Sequence, residues 1–271
     1  MNLIDCFMYF DEDLVLDMRL NILNKFVKKF VIVESAYDHA GNKKNLNFEI
    51  EKFKKFKDKI HYIPIYELPN EKKFFKKNWR PEWHIENAQR DKLALGYEDL
   101  SDDDLIMISD IDEIPNPKKI KDFNVKNTYA CFIQMNLQSK INLLNINIKG
   151  WPGTKICKKK DLISPQWLRN IKIKKRPFWK FYKPKQPQLI YEGGWHFSFL
   201  KNPENISKKI KSFVHQELNK DNFTDIEKIT KRVDEKRDIF DRNFKYQKVA
   251  LDESFPEYIL SNKEKFKEWI I

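Results

Sequence analysis

The chain has 271 residues, of which 41% are hydrophobic and 14% aromatic, and its formal net charge is +12. This length and composition exclude a disordered or low-complexity protein and suffice for one large α/β domain with a full core. The positive charge suits an anionic partner, such as a phosphorylated small molecule, nucleic acid or a membrane surface. Much of the lysine stands in short runs, such as 52–59 and 158–160, that are typical of solvated faces.

The three cysteines, Cys6, Cys131 and Cys157, are too few and too widely spaced for a disulfide framework or a zinc site. Cys6 and Cys131 stand in apolar runs, which predicts buried thiols in a reducing compartment. No signal peptide is predicted at the N-terminus, and no run approaches 18 apolar residues. We therefore expect a cytoplasmic protein, which could also associate with the cytoplasmic face of a membrane.

Short apolar runs alternate with amphipathic stretches over the first 110 residues. Strands are predicted at 3–10, 30–33, 60–65 and 105–108, and helices at 12–24, 49–57 and 81–95. This alternation favours an α/β fold with a mostly parallel central sheet flanked by helices. In such sheets ligands bind at the carboxyl ends of the strands, where Glu34 and Asp110 fall.

The pattern changes after residue 112. Runs of β-type residues at 128–135 and 140–148 precede Pro-rich loops at 176–188, and a charged, mainly helical segment follows from 203 to 271. No linker is visible in the composition. We therefore predict a single domain over residues 1–271 with a helical C-terminal appendage.

The segment Ile108–Pro115 carries two carboxylates at the end of a predicted strand. In an extended segment Asp110 and Asp112 point the same way, so they could address one hard divalent cation through oxygen ligands. Such an ion could hold a diphosphate and stabilise the charge that develops as it leaves. A bare D-x-D pattern is also common at ordinary acidic strand ends. Its position after a hydrophobic strand in an α/β pattern favours the functional interpretation.

Three further candidates have a structural and a functional interpretation. Glu86 and Arg90 share a helix face, either as a surface ion pair or with the arginine directed at a nucleotide or phosphate. The glycines at 193–194 allow a close backbone approach just before His196, although a lone histidine is more often a core residue. Lys209 lies on a predicted helix whose spacing also fits a plain amphipathic helix.

The chain resembles glycosyltransferase family seventeen, the β-1,4-mannosyl-glycoprotein β-1,4-N-acetylglucosaminyltransferase family. The matching stretches are IDCFMYFDEDLVLDMRLNIL, FVIVES, ENAQRDKL, ISDIDEIP, GGWHFSFL followed by KKIKSFVHQE, and FPEYILSNKEKFKEWI. They occur in the family's order and cover nearly the whole chain. DxDEIP together with GWHFS is far more specific than a lone D-x-D.

This resemblance implies a GT-A type fold and an inverting transfer from a UDP-sugar, most often UDP-N-acetylglucosamine, to a glycan acceptor. About 1–115 would form a nucleotide-binding half, about 116–200 an acceptor half, and about 201–271 the helical C-terminal segment. The resemblance also implies Mn²⁺ or Mg²⁺ as the metal cofactor. No nucleic-acid partner is expected, whereas a peripheral membrane contact or a lipid-linked acceptor stays open.

The resemblance also suggests roles for individual residues in the nucleotide site. Asp112 would bind the metal directly, and Asp110 would bind the ribose or a metal-bound water. Glu34 would accept a hydrogen bond from uracil, and Arg90 would lie near the uracil or the diphosphate. Lys209 is assigned to the same nucleotide site.

Two roles in the site have no residue assigned yet: that of a third metal ligand and that of the general base. Some GT-A transferases supply a late histidine to the metal, and His196 is preferred over His215, which has ordinary helical spacing. An inverting transferase needs a base to take the acceptor proton, commonly a carboxylate with a raised pKa. Glu113 and then Glu192 are the candidates.

Two other classes of protein share some of these sequence features. A phosphatase of the haloacid dehalogenase type places D-x-D after its first strand and follows it with Thr, whereas here the motif follows the fourth strand. A basic nucleic-acid- or membrane-binding protein without enzyme activity is suggested by the charge and by Phe–Lys interleaving at 52–57 and 72–79. No recognition motif accompanies that interleaving, and exposed carboxylates would repel phosphate without a metal.

Overall fold

The computed structural model describes residues 1–69, 81–175, 179, 184–212 and 215–271. The strands within these residues are β1 (Leu3–Met8), β2 (Lys29–Ser35), β3 (Ile60–Ile65), β4 (Leu105–Asp110), β5 (Glu113–Pro115), β6 (Tyr129–Gln138), β7 (Leu143–Asn145), β8 (Trp151–Lys158), β9 (Gln188–Ile190), β10 (Gly194–Ser198) and β11 (Tyr246–Lys248). The α-helices are α1 (Asp13–Leu23), α2 (Pro81–Asp91), α3 (Pro165–Asn170), α4 (Pro203–Ser212), α5 (Asp221–Thr224), α6 (Ile226–Asp234) and α7 (Glu257–Ser261). Short 3-10 helices cover Ile50–Lys59, Lys92–Gly96, Pro117–Asp122, Lys159–Asp161, Gln216–Leu218 and Lys267–Trp269.

These strands form one sheet, and its main path follows the order β11-β7-β6-β8-β4-β1-β2-β3. Strands β3, β2, β1 and β4 are parallel to one another. Strand β8 runs antiparallel to both β4 and β6, while β10 lies parallel to β6 and antiparallel to β5. A parallel N-terminal part is thus continued by a part with mixed strand directions.

The direction in which strands are added to the sheet reverses beside β1. The chain leaves β1 for β2 and β3 on one side and returns to β4 on the other. In open α/β sheets such a reversal opens a crevice at the carboxyl ends of the two strands, because their connections leave in opposite directions. Glu12, just after β1, and Asp112, just after β4, line a cavity at this place.

Both faces of the parallel strands β1, β2 and β4 are buried, as expected where helices cover a sheet on two sides, whereas β3 at the edge is only partly buried. On β1, Leu3 and Phe7 belong to a core cluster that includes the apolar side of α1. Ile4 and Cys6 alternate with them and belong to a second cluster, which includes Leu168 of α3. The period-2 alternation of β1 therefore holds a helical layer against each face.

The C-terminal segment has a small core of its own. Ile206 and Ile210 of α4 pack with Ile229 of α6 and with Phe240. The same segment also contributes β11, which pairs antiparallel with β7 and so joins the sheet. Helices and a strand of the C-terminal segment are therefore attached to the edge of the sheet next to β6 and β7.

The predicted α/β class, with a large central sheet flanked by helices, is confirmed. The predicted burial of Cys6 and Cys131 is also confirmed. No helix among the described residues is long and apolar enough to cross a membrane. The Phe–Lys interleaving at 72–79 and most of the Pro-rich loop at 176–188 lie outside the described residues.

Three local predictions were wrong in their extent or type. Strand β1 is shorter than predicted: the Tyr9 N–H still donates to the Val33 carbonyl of β2, but the N–H groups of Phe10 and Asp11 donate to the Glu12 carboxylate instead of to a ladder. The predicted strand at 140–148 is reduced to β7, and Asn142 uses its amide to donate to backbone carbonyls of the C-terminal segment. The predicted helix at 49–57 is a 3-10 helix with a kink at Phe53.

Candidate active site

A cavity of about 410 Å³ opens at the carboxyl ends of β1 and β4. It extends from the loops after β1 and β2, across the turn after β4, to β6, β10 and the C-terminal segment. Its charged and titratable lining residues are Glu12, Asp38, His39, Lys44, Glu86, Asp110, Asp112, His196, Lys209, His215 and Arg242, with Tyr9 and Tyr37. The fold therefore brings together five residues singled out in the sequence, namely Glu86, Asp110, Asp112, His196 and Lys209.

Asp110 is the last residue of β4 and is held between two arginines. One of its carboxylate oxygens lies 2.9 Å from Arg90 Nη2, and the other lies 2.8 Å from Arg169 Nη2. Burial alone would raise the pKa of Asp110, but the two guanidinium groups outweigh burial and hold that pKa well below its usual range. Asp110 is therefore an ionised carboxylate in a fixed orientation, and 37% of its side chain is exposed.

Asp112 lies two residues later and has different partners. Its Oδ2 is 3.5 Å from Nζ of Lys209 on α4, and its Oδ1 is 3.8 Å from Nε2 of His196 on β10. The backbone N–H of Phe197 donates to the Asp112 carbonyl, which ties β10 to the turn. Both aspartates line the cavity as the spacing predicts, but each is held by its own set of side chains.

His196 is fixed by packing rather than by hydrogen bonds. Its ring stacks on Trp151 with centroids 4.3 Å apart and an angle of 19° between the planes. Its Nδ1 is buried and has no hydrogen-bond partner among the described residues. The preceding Gly194 has φ +131°, and a Cβ there would come 2.1 Å from the Ile114 carbonyl oxygen. The glycine therefore allows β10 to lie against β5 and so brings His196 next to Asp112.

Glu12 is a cavity carboxylate that the sequence analysis did not identify. Its Oε1 lies 3.8 Å from Lys201 and 3.6 Å from Lys209. Burial would raise the pKa of Glu12, but the two ammonium groups and two backbone N–H donors lower it to about 2. Lys209 thus lies between Glu12 and Asp112. The only sequence signal for Glu12 is its position just after β1, at the ligand-binding edge.

Neither predicted general base lies in the cavity lining. Glu113 is completely buried, and its carboxylate accepts hydrogen bonds from Trp151 Nε1 at 2.7 Å, from Arg169 at 2.6 Å and from the Asp110 N–H at 3.2 Å. Glu192 points to solvent with 80% of its side chain exposed and pairs with Lys119 at 2.9 Å. The structure therefore places Glu113 behind the turn and Glu192 on a separate surface.

Glu34 and Arg90 also lie behind the cavity wall rather than in it. The Glu34 carboxylate accepts hydrogen bonds from Lys44 Nζ and the Asn47 N–H on one oxygen, and from the Phe48 N–H and the Tyr62 hydroxyl on the other. It thereby fixes the loop after β2, whose Lys44 does line the cavity.

Arg90 donates to Asp110, to Glu86 and to Gln166. Burial alone would lower the pKa of Arg90, but the carboxylates of Glu86 and Asp110 raise it. The helical Glu86–Arg90 spacing therefore serves to hold Asp110. Arg169, which holds Asp110 from the other side, was missed because no motif marks it. It is near the end of α3, whose start is capped by Ser164.

The geometry allows Asp112 and His196 to share one divalent cation. No group of three or more His, Cys, Asp or Glu side chains among the described residues is arranged to hold a metal alone. Two ligands of one ion at roughly 2.1 Å each lie at most about 4.2 Å apart, and Asp112 Oδ1 and His196 Nε2 are 3.8 Å apart. These two side chains fit an ion whose other ligands come from a bound molecule, such as a diphosphate.

An α/β sheet with charged side chains gathered at its switch point is typical of enzymes that bind phosphorylated ligands. The family model for glycosyltransferase family 17 matches residues 1–269, and the chain belongs to that family. The protein is therefore a glycosyltransferase, which sets aside the non-enzymatic alternative. No curated protein matches the chain.

Proposed function

We propose that this glycosyltransferase moves N-acetylglucosamine from a UDP-sugar to a glycan hydroxyl, with inversion and with Mn²⁺ or Mg²⁺. The observation that carries the proposal is the position of Asp112, which lies between Lys209 and His196 in the cavity at the sheet's switch point. The choice of donor and of a GT-A type fold is supported by the resemblance of DxDEIP and GWHFS to the N-acetylglucosaminyltransferases of the family.

The uridine is proposed to lie between the loops that follow β1 and β2. Phe10 and Tyr37 line the cavity there, and His39 and Gln89, which are hydrogen-bonded to each other at 3.2 Å, line it beside them. The Lys44 ammonium lies 4.8 Å from the centre of the Phe10 ring. With the base on the β2 side of the crevice, the diphosphate would extend towards Asp112. Glu34 then acts by holding the loop, not by contacting uracil.

The diphosphate is proposed to lie against Lys209, with the metal held by Asp112 and His196. Burial would lower the pKa of Lys209, but Asp112 and Glu12 raise it, so the side chain is an ammonium at neutral pH. When bound, the ion would neutralise charge that develops on the departing diphosphate. Asp110 would contact the ribose or a water on the metal, in the orientation set by its two arginines.

Calorimetry of UDP binding with and without Mn²⁺ tests this assignment. Asp112→Asn preserves the shape of the side chain and removes its charge, so Mn²⁺ should no longer strengthen UDP binding. Asp102→Asn, at an exposed position outside the cavity, is the matched control and should behave as the wild type. An unchanged affinity for Mn²⁺-UDP in Asp112→Asn would refute the metal site, and wild-type binding that ignores Mn²⁺ would refute metal dependence.

A second proposal concerns where the acceptor is found. The net charge of +12 is consistent with a lipid-linked acceptor at the cytoplasmic face of a membrane. Flotation with liposomes that contain or lack anionic lipid tests this idea at low and at physiological salt. Absence of binding to anionic liposomes at low salt would exclude it.

A further inference from the structure

A row of polar side chains crosses four neighbouring strands, beginning at His196. His196 of β10 pairs with Asn136 of β6, and the antiparallel register of β6 and β7 places Asn136 opposite Asn145. Asn145 in turn pairs with Tyr246 of β11. Paired residues on neighbouring strands point to the same face, and His196, Asn136 and Asn145 all line the cavity. The row therefore forms part of the cavity wall that leads away from Asp112.

A second row lies two residues further along the same strands. Ser198 of β10 pairs with Gln138 of β6, and both line the cavity. The Gln138 carboxamide oxygen accepts a hydrogen bond from the Tyr246 hydroxyl at 2.6 Å, which fixes the side chain and turns its NH₂ group away from that contact. We call Asn136, Gln138, Asn145 and Ser198 together the amide shelf.

Asn136 is the most informative member of the amide shelf. The residue is only 7% exposed, and it lines the cavity with a carboxamide that makes no hydrogen bond to the described residues. Buried polar side chains are normally hydrogen-bonded, because an unsatisfied donor or acceptor has a desolvation penalty. A carboxamide oriented into a cavity in this state has a donor and an acceptor available for a ligand.

Aromatic rings stand at both ends of the amide shelf. Trp151 lies at one end, stacked on His196, and Phe240 and Phe244 line the cavity at the other end. The Arg242 guanidinium beside them is paired with Asp238 at 2.6 Å, so its charge is already compensated. Neutral amides and a hydroxyl flanked by aromatic side chains match a pyranose ring, which has polar hydroxyls at its edge and C–H groups on its faces.

We propose that the amide shelf binds a neutral sugar ring of the acceptor, a hexose or an N-acetylhexosamine. This inference rests on the proposed function for the position of the donor at Asp112. Strands are spaced about 4.8 Å apart, so Asn145 lies two strands, roughly 10 Å, beyond His196. A donor sugar still bonded to a diphosphate at Asp112 would lie beside His196. The part of the amide shelf near Asn145 is then left for the acceptor.

The test measures the binding of simple sugars to the protein by saturation-transfer NMR in the absence of nucleotide. The probes are methyl α-mannopyranoside, methyl β-glucopyranoside and N-acetylglucosamine. Asn136→Ala and Gln138→Ala should each weaken glycoside binding about 3- to 10-fold, the usual effect of one neutral hydrogen bond. Asn205→Ala, at an exposed position outside the cavity, is the control and should change nothing. UDP affinity by calorimetry and the melting temperature are measured on each variant.

Weaker glycoside binding in both shelf variants, with UDP affinity and melting temperature retained, supports the proposal. Unchanged glycoside binding in the folded variants, or no glycoside binding by the wild type, overturns it. A variant that loses affinity for UDP-N-acetylglucosamine but not for UDP or the glycosides would assign the shelf to the donor sugar, which also overturns it. Failure of the wild type to bind UDP would instead contradict the proposed function, so the two failures are distinguishable.

Discussion

Arg19 and Asp5 form a fully buried ion pair directly beneath the turn that follows β4. The Arg19 guanidinium lies 2.6 Å from Asp5 Oδ1 through Nη2 and 2.8 Å from Oδ2 through Nε, and neither side chain is exposed. Its Nη1 donates to the backbone carbonyls of Asp110, Ile111 and Glu113 at 3.0, 3.0 and 3.2 Å. One side chain of α1 therefore satisfies three carbonyls of the turn and fixes its path.

Replacing this arginine should destabilise the whole domain. Arg19→Met leaves the buried Asp5 charge uncompensated and removes the arginine donor from the carbonyls of Asp110 and Ile111, whereas the Glu113 carbonyl keeps Thr154 Oγ1. The free energy of unfolding should therefore fall by about 3–5 kcal/mol. Urea unfolding followed by circular dichroism measures the change. Arg237→Met, which removes an exposed arginine paired with Glu235, should cost less than about 1 kcal/mol. A loss below about 1 kcal/mol for Arg19→Met would contradict the importance of the buried pair.

Glu113→Gln separates a positioning role from a role as general base. We expect Glu113 to hold Arg169 and Trp151, and a glutamine oxygen can still accept both hydrogen bonds. The rate of UDP-sugar hydrolysis or transfer should then fall less than about tenfold, whereas loss of a general base typically costs 10²–10⁴-fold. Glu113→Ala should lose more than Glu113→Gln because it removes the acceptor of Trp151 Nε1 and of the Asp110 N–H and leaves Arg169 with Asp110 as its remaining carboxylate partner. A loss above about 100-fold in Glu113→Gln, with UDP affinity retained, would show that Glu113 is the base after all.

The sequence located the turn correctly because its signal is local. A run of apolar residues ends at Asp110, a strand is the simplest structure for that run, and strand ends in α/β sheets meet at one edge. The partners of Asp110 could not be predicted in the same way. Arg169 is 59 residues away in the chain and comes from a six-residue helix, so only the tertiary fold brings it to the site.

The local sequence pattern also could not predict which carboxylates are buried. Glu34 lies near the end of β2 and Glu113 begins β5, and these positions are why the sequence favoured them as ligand-binding or catalytic residues. Their carboxylates instead accept hydrogen bonds from the surrounding chain and are completely screened from solvent. Glu12 was missed for the opposite reason, since nothing in its spacing distinguishes a cavity carboxylate paired with distant lysines from a surface acid.

Glu12 should make the stability of the domain depend on pH in the acid range. Its pKa in the fold is about 2, below the ordinary 4.5, so its stabilising effect is complete above pH 4.5 and is lost as the pH falls towards 2. Glu12→Gln should lower the free energy of unfolding by roughly 2–3 kcal/mol at pH 7 and by much less near pH 2.5.

Urea unfolding of wild type and Glu12→Gln at a series of pH values measures this difference. Glu253→Gln, at an exposed position away from the cavity, provides the control, and its difference from wild type should stay small at every pH. If the difference between Glu12→Gln and wild type were the same at pH 7 and pH 2.5, the lysines would not be stabilising the Glu12 carboxylate.

His196 should be a nitrogen ligand of the bound metal, and Mn²⁺ allows this to be observed without measuring activity. The ring is already held by its stack on Trp151 and lies 3.8 Å from the Asp112 carboxylate, so an ion between them needs only small shifts to reach the roughly 2 Å of a metal–nitrogen bond. Pulsed electron paramagnetic resonance of the Mn²⁺-UDP complex should show ¹⁴N modulation from the imidazole. His196→Ala should remove that modulation and weaken Mn²⁺ binding. The loss of affinity should be smaller than in Asp112→Asn, because the Asp112 carboxylate carries a charge opposite to that of the metal ion.

His61→Ala, at an exposed position on β3, is the control and should keep both the modulation and the affinity. Retention of the modulation in His196→Ala would mean that the imidazole is not a ligand, and His196 would then serve to hold Trp151 and the near end of the amide shelf.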